Sequence, residues 1–182
     1  VGGPTANFRK PACKKQLSAG VCKKRQCLGT DPCPNLIVDH SDYAELLKKL
    51  RAIPKIKKIF IRSGLRFDYL VMDKDKTFLE DLCRHHISGQ LKVAPENVSD
   101  SVLRLMRKST HSVYETFSKE YTEMNRTLGM KQYLVPYYIA SHPGCGLKET
   151  IETALYLKKT GFVPDQIQDF YPTPGSLSTC QY

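Results

Sequence analysis

The sequence contains no long hydrophobic run and none of the common nucleotide-binding motifs. Its apolar stretches all fall short of the roughly 18 to 20 residues that cross a bilayer, and neither end shows a lipidation motif. The absence of a G-x-G-x-x-G fingerprint and of a Walker loop argues against the usual dinucleotide and nucleoside triphosphate sites. We therefore expect a soluble protein that has no membrane partner.

The cysteine content argues against a complete disulfide framework. The chain has seven cysteines, an odd number, of which four lie within residues 13–33 and three are scattered at Cys83, Cys145 and Cys180. Unpaired cysteines suit a reducing compartment, so we expect a cytoplasmic location.

Positive charge is concentrated at the start of the chain. Of a net charge of +10, residues 1–34 hold seven Lys and Arg against a single aspartate, Asp31, which gives this segment +6. Such a segment can attract phosphates or nucleic acid, and it can equally compensate a cluster of thiolates. Phe8 is the only aromatic residue in it, so an aromatic platform for stacking bases is not evident.

Four cysteines lie within the same basic segment, at Cys13, Cys22, Cys27 and Cys33. Their spacings do not match the paired C-x-x-C of common zinc ribbons. Disulfides and unpaired thiols in a loop that faces nucleic acid are both open alternatives. We favour a metal site, either zinc or an auxiliary iron–sulfur cluster, in which the neighbouring lysines and arginine keep the thiols ionised.

After residue 34 the sequence repeats a unit of one strand followed by helix. Strands are predicted at Ile56–Arg62 and in the segments GQLKVAPE, QYLVPYYIASHPG and QIQDFYPTPG. Amphipathic helices are predicted in SDYAELLKKLRAI, KTFLEDLCRHHI, SDSVLRLMRKS, HSVYETFSKEYTEMNRTLG and LKETIETALYLKKTG. Ser99 is a candidate cap for the third of these helices, and Gly129 and Gly161 are candidate stops for the last two.

The strand centres are 32 to 44 residues apart, the length that a right-handed crossover between parallel strands requires. The sequence therefore predicts an α/β fold of parallel strands with one core, either a partial barrel or an open doubly wound sheet. We divide the chain into a glycine-rich strand end with a basic cysteine insertion, residues 1–34, and βα repeats, residues 35–182. The helix that precedes the first predicted strand leads us to expect a further strand upstream, with VGGP as its end.

Polar residues, glycines and prolines collect at the C-terminal end of every predicted strand, where both architectures place their active sites. Ordinary βα turns have the same composition. From these ends alone, a ligand site and a set of plain turns are therefore equally good interpretations. The ends are Gly2-Gly3-Pro4, Arg62-Ser63-Gly64, Ala94-Pro95-Glu96, Ser141-His142-Pro143-Gly144 and Tyr171-Pro172-Thr173-Pro174-Gly175.

The order and spacing of four segments carry a family resemblance. VGGP, SGQLKVAPENVSDSVLRLMRK, YYIASHPG and QDFYPTPGSLSTC together resemble the C-terminal part of a radical S-adenosylmethionine domain, and most closely the YgiQ family. The resemblance extends over essentially the whole chain, including the four-cysteine stretch. It implies a fragment of a TIM-like (β/α)6 barrel that binds S-adenosylmethionine across the strand ends, beside a [4Fe–4S] cluster that splits the cofactor reductively.

The resemblance also implies roles for individual residues. Glu96 matches a residue that holds ribose hydroxyls or the methionyl group, and Lys108, on the following helix, matches a base that pairs with the cofactor's carboxylate. Each residue also has an alternative reading without a ligand. Glu96 is then an exposed capping acid, Lys108 a solvated lysine at a helix end, and His142 a turn residue. The full set implied to contact S-adenosylmethionine is Gly2, Gly3, Pro4, Ser63, Glu96, Lys108, Ser141 and His142.

The C-x-x-x-C-x-x-C triplet that holds the radical-generating cluster in this superfamily is absent from the chain. We expect it upstream of Val1, so that the segment alone is inactive and needs the missing N-terminal part of the barrel as its partner. The expected function is the C-terminal part of a radical S-adenosylmethionine enzyme, with the cysteine insertion as a metal-stabilised lid over the substrate entrance. The alternative is a basic, metal-stapled module that binds RNA or a protein partner and has no catalysis of its own.

Overall fold

A computed structural model describes residues 5–164 and 167–182 of the chain. Helices are formed at α1 Lys14–Ala19, α2 Ser41–Arg51, α3 Phe67–Met72, α4 Thr77–His85, α5 Asp100–Leu105, α6 His111–Leu128, α7 Leu147–Thr160 and α8 Leu177–Gln181. The strands are β1 Gln90–Glu96, β2 Tyr133–Ala140 and β3 Gln168–Asp169. In this part of the chain, no helix is long and apolar enough to cross a membrane.

The three strands form one parallel sheet in the order β1-β2-β3. Two helices, α5 and α6, connect β1 to β2, and α7 connects β2 to β3, which is the arrangement expected of parallel strands joined by crossovers. The predicted α/β class with parallel strands is therefore confirmed, and the sheet is consistent with a fragment of a βα barrel. The strand predicted around QIQDFYPTPG is much shorter than expected, with two residues in β3.

The hydrophobic core lies between β1 and the helices α2, α3, α4 and α6. Leu91 and Val93 of β1 face it, because alternate residues of a strand point to the same side. The buried residues that the helices contribute recur at helical spacing, which is why these segments are amphipathic. They are Tyr43 and Leu47 of α2, Phe67 and Leu70 of α3, Phe78, Leu79, Leu82 and Cys83 of α4, and Tyr114, Phe117 and Tyr121 of α6.

The strand predicted at Ile56–Arg62 is wrong. The segment belongs to no strand or helix, and Ile61 is its one buried residue. Its backbone bonds go to the turn after α4, since the Ile61 amide donates to the His86 carbonyl at 2.9 Å. The His86 imidazole Nδ1 lies 2.9 Å from the Ile59 carbonyl. A buried histidine therefore takes the place of a strand partner.

The predicted residues end two of the helices, but the predicted cap of a third helix does not act as one. Gly129 and Gly161 end α6 and α7 in the left-handed conformation, as predicted. Ser99 occupies the position before α5, but its hydroxyl makes no capping bond to the helix. The Asn97 side chain orders this turn instead, with its Oδ1 accepting from the Ser99 amide at 2.9 Å. The short helices α1, α3 and α8 were not predicted.

Candidate functional site

A cavity of about 400 Å³ opens at the C-terminal end of β1. Three of the residues that the family resemblance implies as cofactor contacts, Ser63, Glu96 and Lys108, line it together although they are separated in the chain. Thr5 lines the same cavity, and it directly follows Gly2, Gly3 and Pro4, which lie outside the described residues. The remaining wall is largely apolar and includes Leu65, Phe67, Val93 and Pro95.

Glu96 is the last residue of β1 and has an unusual backbone. Its φ is +66°, a left-handed conformation that is strained for a residue with a Cβ. The pairing with β2 is irregular between Val93 and Glu96, so the strand bulges just before it ends. These features direct the carboxylate into the cavity, where its side chain is 15% exposed. Strain of this kind is typical of residues that the fold holds for a function.

Lys108 forms an ion pair with Glu96, with 2.9 Å between Nζ and Oε1. The expectation that Lys108 lies on the helix after β1 is wrong, because α5 ends at Leu105. Arg107 adopts a left-handed φ of +54°, and the Lys108 amide donates to the Leu103 carbonyl at 2.8 Å. This closing turn bends the chain back over the end of β1 and brings the ammonium group to Glu96.

Ser63 reaches the cavity because the next residue packs directly on β1. A Cβ placed on Gly64 would lie 2.8 Å from the Lys92 carbonyl oxygen, and the φ of Gly64 is +81°. Both the close approach and the backbone conformation require glycine. The Ser63-Gly64 turn predicted from the sequence therefore does lie at the end of β1, even though no strand precedes it.

Three charged residues of the cavity, Arg66, Asp68 and Lys92, were not predicted from the sequence. Arg66 donates from Nε to Asp68 Oδ1 at 2.8 Å, and Asp68 is buried. Burial opposes the charge on Arg66, but the hydrogen bond to Asp68 and the nearby carboxylates of Asp68 and Glu96 raise the pKa of Arg66. The segment LRFD follows Ser63-Gly64 directly, so its position beside a candidate strand end was the available signal.

Asn7 fixes the position of Arg66 from across the chain. It is almost fully buried, donates from Nδ2 to the Arg66 carbonyl at 3.0 Å and accepts at Oδ1 from the Arg66 amide at 2.9 Å. Satisfying both backbone groups of one residue orients the loop that leads into α3. The start of the described chain is thereby attached to the wall of the cavity.

Ser141 and His142, the other two predicted contacts, do not line this cavity. Ser141 is exposed at the end of β2, and its φ is +59°. The buried His142 imidazole lies between two oxygens, 2.8 Å from the Pro143 carbonyl and 2.8 Å from the Ser178 hydroxyl. These bonds attach the β2 end to α8. A contact of Ser141 or His142 with adenine stays a prediction.

The four clustered cysteines lie near one another but are not arranged as a closed ligand set. Burial raises the pKa of the Cys27 thiol, and charge on Cys33, Cys13 and Cys22 raises it further. This direction is opposite to the expectation that neighbouring cations keep Cys27 ionised. In residues 5–164 and 167–182, no three His, Cys, Asp or Glu side chains are positioned to hold a metal ion. The metal site therefore stays a prediction.

The chain is similar over its whole length to UPF0313 proteins. A UPF0313 protein of Clostridium botulinum (strain 657 / Type Ba4) is 59% identical over 182 residues. A UPF0313 protein of Clostridium perfringens (strain SM101 / Type A) is 53% identical over the same 182 residues. The chain spans 28% of the length of these relatives. No family model matches the chain, and no solved structure matches it significantly.

Proposed function

We propose that this chain is part of a radical S-adenosylmethionine enzyme and forms one side of its S-adenosylmethionine site. The observation that carries the proposal is the Glu96–Lys108 ion pair inside the cavity at the end of β1. The resemblance of the sequence to the radical S-adenosylmethionine superfamily supports the same assignment. The UPF0313 relatives extend well beyond this chain, which leaves room for the rest of such an enzyme.

The charges in the cavity complement the methionyl end of the cofactor. That end carries one ammonium and one carboxylate, and Glu96 and Lys108 offer the opposite charges 2.9 Å apart. Each protein group can exchange its present partner for one on the ligand without leaving an unpaired charge, which would be costly in a partly buried site. The cavity volume of about 400 Å³ lies within the range of roughly 300 to 1,000 Å³ of small-molecule sites.

The remaining lining suits the rest of the cofactor. Leu65, Phe67 and Val93 offer an apolar wall to a base, and the Ser63 hydroxyl can donate to or accept from ribose oxygens. Tyr137 also lines the cavity, and burial and then the charge of Glu96 raise the pKa of its hydroxyl, which remains a donor at neutral pH. These side chains bind and orient the ligand.

The reductive step would need residues from outside this chain. In the superfamily, a [4Fe–4S] cluster supplies the electron that cleaves the bound cofactor, and its C-x-x-x-C-x-x-C ligands do not occur in these 182 residues. We propose that the longer protein contributes them together with the strands that complete the barrel. A cytoplasmic location is part of the proposal, because free cysteines suit a reducing compartment.

We also propose that the four-cysteine segment binds zinc or an auxiliary iron–sulfur cluster. The observation in favour is the hydrogen bond from the Cys33 amide to the Cys27 carbonyl at 3.0 Å, which brings two of the four cysteines together. A bound metal would fix this segment, which we place beside the substrate entrance.

The test is S-adenosylmethionine binding by the whole protein, extended to the full span of its relatives and purified anaerobically. Equilibrium dialysis with labelled S-adenosylmethionine compares the wild type with Glu96→Gln and with a matched control, Glu123→Gln. Glu123 also pairs with a cation, Arg126, but on the exposed face of α6. Loss of a charged hydrogen-bond acceptor predicts about 10- to 100-fold weaker binding for Glu96→Gln and no change for the control.

Equal affinity in the two variants would contradict the assignment of the site. A reconstituted whole protein that neither binds nor reductively cleaves S-adenosylmethionine would contradict the proposed function itself. That second result would favour the alternative of a binding module without catalysis.

A further inference from the structure

A second recess, the cationic groove, lies between the cysteine segment and the end of α5. It has a volume of about 440 Å³. Five basic residues and a single acidic one line it: Lys23, Lys24, Arg25, Arg104, Arg107 and Asp31. Three of the basic residues come from the first part of the chain and two from α5 and the turn after it. The fold thus joins charges that the sequence keeps about 80 positions apart.

The five positive charges of the groove exceed the single negative charge of Asp31. None of its five basic side chains forms a salt bridge with any residue that the structure describes. Arg66 and Lys108, in the neighbouring cavity, are by contrast paired with Asp68 and Glu96. Like charges gathered in a concave surface focus a positive potential and favour an anionic ligand.

The groove is a packed junction and not a chance meeting of mobile side chains. Its floor contains Leu28 and Gly29, both buried. Gly29 has a φ of +137°, and a Cβ there would lie 3.3 Å from the Arg107 carbonyl oxygen. The Cys33 amide donates to the Cys27 carbonyl at 3.0 Å and closes the loop that carries Gly29. The cysteine segment therefore sits tightly on the end of α5.

We propose that the cationic groove binds the phosphate backbone of a single-stranded nucleic acid. Arg25, Arg104 and Arg107 provide guanidinium groups, which bind phosphate oxygens in pairs, and the lysines add point charges along the path. The groove is too small to receive a duplex but has room for more than one phosphate of a strand.

The composition of the lining favours a nucleic acid over an acidic peptide. Leu28 is the one side chain of the groove that is large and apolar, and it is 6% exposed. Protein partners are usually anchored by aromatic or aliphatic side chains that fill apolar pockets, and the groove offers none. A ligand held mainly through its charges, with little apolar contact, is what a phosphate backbone provides.

The groove and the proposed cofactor site adjoin at two consecutive residues. Arg107 lines the groove, and the next residue, Lys108, lines the cavity and pairs with Glu96. A strand bound at Arg107 would therefore lie one residue from the lining of the cavity, and we take it as the substrate of the enzyme proposed above. This last step rests on the proposed function, whereas binding of the strand to the groove does not.

The test measures binding of a fluorescently labelled single-stranded RNA of about 12 nucleotides to the whole protein by anisotropy, without S-adenosylmethionine. The groove variant is Lys24→Gln, Arg25→Gln and Arg104→Gln combined. The control variant is Lys148→Gln, Lys158→Gln and Lys159→Gln, which removes the same charge from exposed positions of α7. Thermal unfolding of both variants shows whether each is folded.

We expect the groove variant to bind at least about 10-fold more weakly and its slope of log K against log salt to be smaller by about 2. The control should retain the wild-type affinity and slope. Equal affinity for a DNA of the same sequence would support the proposal, since both strands share the phosphates.

Three results would overturn the inference. They are equal losses in the groove and control variants, no binding of the strand by the wild type, and polyglutamate that competes with RNA at equal charge concentration. The outcome is separate from that of the proposed function, because Glu96→Gln should weaken S-adenosylmethionine binding and leave strand binding unchanged. A protein that binds the strand but not S-adenosylmethionine would refute the proposed function alone.

Discussion

Arg107 and Lys108 are neighbours in the chain, yet their side chains line two different recesses. Arg107 lies in the cationic groove, and Lys108 lies in the cavity, paired with Glu96 at 2.9 Å. The division falls at the left-handed residue that follows α5, where Arg107 has a φ of +54°. Two adjacent substitutions can therefore separate the functions of the two recesses.

Lys108→Met and Arg107→Gln should have opposite effects on the two ligands. Lys108→Met removes the cation that we assign to the methionyl carboxylate, so the whole protein should bind S-adenosylmethionine about 10- to 100-fold more weakly. Its affinity for a single-stranded RNA should stay within about twofold, because the groove keeps its five cations. Arg107→Gln should weaken RNA binding and leave S-adenosylmethionine binding in place. Parallel losses of both ligands in either variant would contradict two separate recesses.

Gly64→Ala should destabilise the protein more than Gly129→Ala, because its added Cβ would meet the backbone of β1. The new Cβ would lie 2.8 Å from the Lys92 carbonyl oxygen, on a backbone with a φ of +81°. The clash and the backbone strain together should lower the free energy of unfolding by at least about 2 kcal/mol, as measured by urea denaturation.

Gly129→Ala is the matched control for this effect. Gly129 has a similar φ of +64°, but nothing lies within 4 Å of its added Cβ. It should therefore show the backbone strain alone, about 1 kcal/mol. If both substitutions cost the same, the close contact between Gly64 and β1 is not present.

Much of the fold could be predicted from the sequence because its signals are local. The strands around Leu91 and Val135 are short apolar runs, and α6 and α7 end at glycines that take up a left-handed turn. The segment Ile56–Arg62 has the same composition as a strand. It forms no strand, and its Ile59 carbonyl and Ile61 amide contact His86 instead, a long-range contact that no local pattern reveals.

The candidate site could be predicted in part for the same reason. Glu96 stands at a strand end that the βα pattern locates, and Ser63 follows a predicted strand that does not form, yet both line the cavity. Arg66 and Asp68 line it as well, but Asn7 positions Arg66 from 59 residues away, and such a long-range contact leaves no trace in a single sequence. The cationic groove was equally hidden, because it needs the cysteine segment to dock on the end of α5.

Stability should fall as the pH drops below about 6.5. Burial is the main cause that lowers the pKa values of His40, His86 and His111 from an ordinary value of 6.5. The unfolded chain then takes up protons that the folded chain resists, so the stability present above pH 6.5 is lost as the pH falls. Each histidine can contribute up to about 1.4 kcal/mol per pH unit.

Urea denaturation between pH 7.5 and 5.5 measures this effect while the carboxylates stay largely ionised. His86→Asn should reduce the slope, because asparagine keeps a donor for the Ile59 carbonyl but cannot take up a proton. A free energy of unfolding that does not change across this range would contradict the prediction, as would an unchanged slope in the variant.

The four-cysteine segment should bind about one equivalent of zinc, or one iron–sulfur cluster, per chain. Burial, and then the charges of Cys33, Cys13 and Cys22, raise the pKa of the Cys27 thiol. A bound metal would oppose this shift, because it stabilises thiolates. Elemental analysis of anaerobically purified protein measures the metal, and Cys27→Ser should abolish it. Cys180→Ser is the matched control, since Cys180 is an exposed thiol of α8, outside this segment. Less than about a tenth of an equivalent of metal, together with four titratable thiols in the segment, would show that these cysteines are unpaired side chains of a basic loop.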